Sequence, residues 1–158
     1  VPANVLYAET VVADVITALE GISVTSGYNN TIASVARYDR DDGPEGQRPS
    51  ARVSLGSMAL TPNEPTLEAY LITQPITIDL RLEPGVHDVA HDVALSYLMA
   101  DVLKALSAID YETKIYQLTS IAVDPYLTAE SGDLVDFARI TATFSWSSDI
   151  DDLTTALE

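Results

Sequence analysis

His87 and His91 are the only two histidines of the chain, and each is followed by an aspartate, Asp88 and Asp92. Residues four apart on a helix share one face, which is how a pair of imidazoles is presented to a metal ion. The chemistry such a pair would serve is metal-assisted hydrolysis, with Asp88 where zinc proteases carry a glutamate as general base. Asp is shorter than Glu by a methylene, and the chain has no third histidine to complete the ligand set. The simpler account is a polar first helical turn, in which Asp88 and Asp92 complement the helix dipole. A metal-dependent hydrolase built on His87 and His91 is therefore the alternative reading, and the preferred reading has no metal, no cofactor and no catalytic residue.

A second cluster, Asp39, Asp41, Asp42 and Glu45, superficially suggests a calcium loop. Such loops need oxygen ligands at fixed spacing and a closing Glu. Arg40 and Pro44 intrude, and no Glu arrives in register, so a solvated loop is expected. The sequence has no glycine-flanked nucleophile elbow and no glycine-rich phosphate loop.

Composition narrows the classes further. Without cysteine, disulfides, thiolate catalysis and cysteine-bound zinc are excluded. Eight basic residues against 24 acidic ones give a net charge of -16. Gripping nucleic acid requires cations that neutralise phosphates, so a role as a direct DNA or RNA binder is not expected. Strong negative charge serves solubility, and it also keeps a surface from adhering to a passing polyanion. The apolar run 93–106 is interrupted by Ser96, Asp101 and Lys104, which reads as a core helix and not a membrane span. No charged start leading into a short apolar run marks a signal peptide, and a soluble protein is expected.

The elements that position these residues follow from periodicity. Residues 5–21 read as a helix with Val5, Val12, Ile16 and Leu19 in a stripe, Leu6 and Val15 beside it, Asn4 as N-cap and Gly21 as the stop. A turn at Ser26 and Gly27 leads to a strand over 28–38, with Ile32 and Ser34 on one face and Ala33 and Val35 on the other. Residues 39–50 read as a loop, 51–55 as a strand and 56–66 as another loop carrying Pro62 and Pro65. The strongest strand pattern is 67–82, where Ile76, Ile78, Leu80 and Leu82 alternate with Thr77, Asp79 and Arg81. Pro75 inside it implies an edge position or a bulge.

A long helix follows to Ile109, with Val86, Val89, Val93, Tyr97 and Ala100 expected in the core. Residues 111–123 read as a strand broken at Asp124 and Pro125, with a turn over 130–133. Residues 134–147 read as the closing strand of a hairpin, with Ala138, Ile140, Ala142, Phe144 and Trp146 facing the core. The tail, residues 148–158, reads as a short helix capped by Asp149, with Ile150, Leu153 and Leu157 on one side. The expectation is a single α+β domain over residues 1–158, mainly antiparallel, with helices on one face and the order α-β-β-β-α-β-β.

The run Ala18, Leu19, Gly21, Ile22, then Gly27-Tyr28, then a strand ending near Val35 and Arg37, resembles the tail terminator (tail completion) proteins of long-tailed bacteriophages. The charged loop, the proline-led strand 49–55, the long strand, the helix from Val86 and the closing hairpin are similar in order. The resemblance covers about residues 5–147. It implies a structural virion protein, assembled in the host cytoplasm, that forms a hexameric ring at the tail-neck region. There it would cap the tail tube, meet the head-side connector or neck protein, and let DNA pass through the lumen without specific binding. A head-tail joining protein of similar fold, or a small acidic adaptor domain, would share the pattern. Contacts are expected on the two loops and the tail, at Asp41, Asp42, Glu45, Gln47, Arg48, Met58, Leu60, Ile150, Leu153 and Leu157.

Overall fold

The computed structural model describes residues 6–37, 49–62, 69–82, 91–127 and 137–149. The fold is α+β. Among the described residues two helices, α1 (Ala8–Glu20) and α2 (His91–Ser107), pack on one face of a six-stranded, mostly antiparallel sheet. The strands are β1 (Ser34–Arg37), β2 (Ser50–Leu55), β3 (Ala59–Pro62), β4 (Ala69–Arg81), β5 (Gln117–Leu127) and β6 (Phe137–Asp149). The sheet order is β1-β2-β4-β6-β5, and β3 pairs with β4 on the same side as β2. Among the described strands only the β1–β2 pair is parallel.

Alternation places the core. Ile72, Ile76, Ile78 and Leu80 of β4 are buried, as are Ala138, Ile140, Ala142, Phe144 and Trp146 of β6, on the helix-facing side. The expected core parity of the closing strand is the observed one, and the hairpin of β5 and β6 forms as expected. Val11, Val12, Val15 and Leu19 of α1 meet this face, with Ile16 half-buried beside them. Tyr116 joins the two layers. Its ring makes edge contacts with Tyr7, Tyr111 and Phe144, and Tyr7 makes another with Trp146.

Several boundaries differ from the sequence reading. Helix α1 begins at Ala8 and leaves Leu6 exposed, while Val5 and Asn4 lie outside the described residues. Residues 28–33 are not strand. Tyr28 and the two asparagines after it instead form a turn tied to α2, which shortens β1 to four residues. Residues 59–62, expected in a loop, form β3, because the chain after Gly56 rejoins β4 instead of leaving it. Tyr111–Thr113 is a short 3-10 turn, and β5 starts only at Gln117. Asp124 and Pro125 do not end β5, because a register shift between Asp124 and Leu127 absorbs the proline. Asp149 is the last residue of β6 and not a helix cap. The loop 39–48, the turn 130–133, Val86, Val89 and the tail 150–158 lie outside the described residues.

The largest correction concerns α2. Val93 and Tyr97, expected in the core, are 40% and 48% exposed, and Ala100 is exposed as well. The buried face is Ala94, Leu95, Leu98, Met99, Val102, Ala105 and Leu106. The helix carries two apolar stripes, and the one richer in large aliphatic side chains takes the sheet.

Pro75 is not at an edge. Strand β4 pairs with β6 without interruption from Ala69 opposite Asp149 to Arg81 opposite Phe137. On its other side Leu55 stands opposite Ile76 and Ala59 opposite Thr73, so the β2–β3 chain carries an extra residue facing Pro75 and Gln74. The bulge half of the expectation holds, on the neighbouring strand.

Candidate assembly surface

The sheet ends on different strands at its two sides. At one side β5 is the last strand among the described residues, and at the other β1 and β3 are. An outermost strand offers a row of backbone N–H and C=O groups to any extended partner. Strand β3 is exposed at every residue, with Leu60 39% exposed. Along β5 and its approach, Ile115 and Val123 are 41% and 39% exposed, while Leu118 and Ile121 lean half-buried toward the core. Residues 115–123 contain no charged side chain and no proline, and neither do residues 56–61. Natural edge strands are usually guarded by lysine, proline or an inward charge. Here β5 has only a register shift near Thr119, then Asp124 and Pro125 at its far end.

The open face of the sheet has a different character. Arg52 on β2, Asp79 on β4, Arg139 on β6 and Asp124 on β5 stand directly opposite one another in neighbouring strands, a row of alternating charge. Arg139 donates to both Asp79 oxygens, at 2.7 and 3.1 Å. The Asp79 side chain is almost fully buried despite lying on the outer face. Arg81 lies one strand step further along β4.

The Gly27-Tyr28 turn is anchored on α2. Gly27 adopts φ 89°, a left-handed conformation that suits glycine. The buried Asp101 carboxylate accepts the backbone N–H of Asn29 and of Asn30, at 2.9 and 2.8 Å, and the Asn30 side-chain amide. Lys104 donates to Gly27 O at 2.9 Å and lies over the Tyr28 ring. A motif read from local sequence is thus held by two residues more than 70 positions away.

Between α1 and the end of α2 lies an open groove of about 400 Å³, lined in part by Asp14, Ala18, Gly21, Ala105, Ala108 and Lys114. Two of its charged groups, Asp14 and Lys114, serve the core. Asp14 accepts the Tyr116 hydroxyl at 2.7 Å and pairs with Lys114 at 3.2 Å. Burial, and then the Asp14 hydrogen bond and charge, raise the Tyr116 pKa far above that of a free phenol. Burial raises Tyr111 to about 12, and burial followed by the Asp14 charge raises Tyr7. These are neutral phenols packed for structure.

Of the contact residues read from sequence, Leu60 lies exposed on β3 and Met58 is half-buried against the core just before it. Asp41, Asp42, Glu45, Gln47, Arg48, Ile150, Leu153 and Leu157 lie outside the described residues, as does His87. His91 is the first residue of α2, and its side chain lies outside the described part. Among the described residues no group of three or more His, Asp or Glu side chains converges as a metal site would require. The sequence reading identified the β5 region as a strand and missed it as an uncharged edge. The signal was present in the unbroken uncharged run 115–123.

No protein-family model matches the chain, and no curated protein matches it. Among the described residues no helix is long and apolar enough to cross a membrane.

Proposed function

We propose that this chain is a structural assembly protein that closes into a ring of identical subunits. Its role would be that of a phage tail terminator, capping the tail tube and giving the head-side connector a docking surface. The observation that carries the reading is the pair of outer strands on opposite sides of one sheet, β5, uncharged from Gln117 to Val123, and β3, uncharged throughout. A closed ring needs two different surfaces that mate head to tail, and a sheet with distinct edges provides them. The element order and the Gly27-Tyr28 turn supply the resemblance to the terminator family, with a hexamer as the expected ring.

The net charge of -16 supports a lumen through which DNA slides without adhering. Three of the eight cationic residues, Arg52, Arg81 and Arg139, gather on the open sheet face, so that face would turn away from the lumen.

Imaging of assembled particles tests the role directly. A density for this chain as a ring at the head-proximal end of a tail supports it. Solution mass tests the ring, which requires a multiple of the 17.0 kDa chain mass. A monomer that hydrolyses a small substrate with a bound metal would overturn both.

A further inference from the structure

We propose that the subunit contact is a strand-to-strand pairing, in which the outer edge of β5 in one copy joins the outer edge of β3 in the next. This rests on the self-assembly reading above and names the surfaces it leaves open. Two copies at -16 each repel, and a contact made through uncharged segments adds nothing to that repulsion. The β5 edge and its approach are uncharged over residues 115–123, and β3, which ends on Pro62, is uncharged as well, as is its approach from Gly56. Neutral meets neutral at this contact, while the acidic surface stays in solvent. The exposed Leu60 side chain and the exposed pair Ile115 and Val123 supply apolar area on the two sides. Because β5 and β3 lie on opposite sides of the sheet, each subunit keeps one edge free after the first contact, and the chain of subunits can continue until it closes. A pairing of β5 with β5 would instead stop at a dimer.

The occupant is a second copy, and salt distinguishes it from a basic protein. Screening weakens repulsion between like chains, so added salt tightens self-association, whereas it loosens the grip of a basic partner.

The test uses the cysteine-free full chain. Successive N–H groups of a strand point to opposite sides, so proline at Ala122 and at Val123, in separate variants, removes one outward and one inward N–H. The variant that keeps the wild-type melting transition is the edge-blocked one. Ala59→Pro and Leu60→Pro give the matching pair on β3. Sedimentation should show wild type assembling, with each edge-blocked variant alone at 17.0 kDa. An equimolar mixture of a β5-blocked and a β3-blocked variant should form a dimer and nothing larger, because a single productive contact remains. Hydrogen exchange on the unmodified protein gives a reading that needs no variant. Assembly should protect amides in 117–123 and 59–61 by tenfold or more.

Wild type that stays monomeric at every concentration and salt level overturns the assembly reading and this inference with it. Wild type that assembles while the folded edge-blocked variants also assemble, or without protection at β5, overturns the edge assignment alone. Dimers formed by a β3-blocked variant alone, and none formed by the mixture beyond them, would show β5 pairing with itself.

Discussion

Gln74 Nε2 donates to Gly56 O at 2.9 Å and takes the place of the N–H that Pro75 lacks. Gly56 N–H donates to Pro75 O at 2.9 Å, the first half of a reciprocal antiparallel pair. Proline cannot return the bond, so Gly56 O would be left without a donor at the centre of the sheet. The neighbouring side chain, itself buried, closes the gap and also donates to Pro75 O. Gln74→Leu should therefore cost about 1–3 kcal/mol, the range for leaving a buried acceptor unmet. Adding Pro75→Val to that variant restores a backbone donor and should recover part of the loss. Denaturant midpoints of the single and double variants measure the coupling, and strict additivity would refute it.

Gly56 is constrained by the same junction. A Cβ there would lie 2.8 Å from Pro75 Cγ and 3.3 Å from Pro75 O. Gly56→Ala should destabilise by about 1–3 kcal/mol through overpacking. In a Pro75→Val background the ring carbon is gone, and the penalty should shrink. An equal penalty in both backgrounds, read from thermal melts, would place the strain elsewhere.

The Asp101 carboxylate holds the turn after α1 by three hydrogen bonds, two of them from backbone N–H groups. Asp101→Ala removes all three at once from a site that is 2% exposed. Hydrogen bonds to a charged acceptor contribute about 1.5–3 kcal/mol each, although losses within one network do not add. A total of about 3 kcal/mol is expected. The amides of Asn29 and Asn30 should lose their exchange protection while amides in β4 keep theirs. If both asparagine amides remain protected, the turn is held by other means.

These anchors explain what could and could not be read from the chain. The β4 and β6 patterns were legible because each strand has one face on the core, and period-two alternation is then written into the sequence. Strand β3 was hidden because four exposed residues carry no alternation. The turn at Tyr28 looked like strand because the N–H groups of Asn29 and Asn30 donate to Asp101, which no local window includes. For α2, the stripe expected in the core and the one actually buried are both apolar, and the choice between them depends on which one meets the sheet. Candidate contact residues were less accessible still. An open edge is a property of strand order, and strand order is set by pairings between distant segments.

The two stripes of α2 give a direct check. Val93→Ser and Tyr97→Ser alter exposed side chains and should change stability by about 0.5 kcal/mol or less. Leu98→Ala, on the buried stripe, should cost about 2–5 kcal/mol by loss of burial and an unfilled cavity. The reverse ranking of melting temperatures would return the helix to the orientation expected from sequence.

Asp79 and Arg139 stand directly opposite each other in β4 and β6, and the carboxylate side chain is 1% exposed against 43% for the arginine. Removing Arg139 leaves a buried charge on the outer face of the sheet, so Arg139→Leu should cost about 3 kcal/mol, the low end for breaking a buried pair because the arginine keeps some water. Asp79→Leu with Arg139→Leu removes both charges and should be closer to wild type than Arg139→Leu alone. A double variant less stable than that single would mean the carboxylate is held chiefly by its other neighbours.

The phenols around Tyr116 predict an alkaline limit on the fold. Tyr7, Tyr111 and Tyr116 have folded-state pKa values raised above the ordinary 10.0, with Tyr111 at about 12. A raised pKa means that the unfolded chain releases these protons first. The stability tied to them is therefore complete below pH 10 and is lost as pH rises toward and through the folded values. Ionisation of this cluster, followed by phenolate absorbance, should coincide with loss of the aromatic circular dichroism signal. Tyr116→Phe removes the most strongly shifted phenol and the hydrogen bond to Asp14. It should lower stability at neutral pH and flatten the decline above pH 10, and an unchanged alkaline slope would exclude the cluster as its cause.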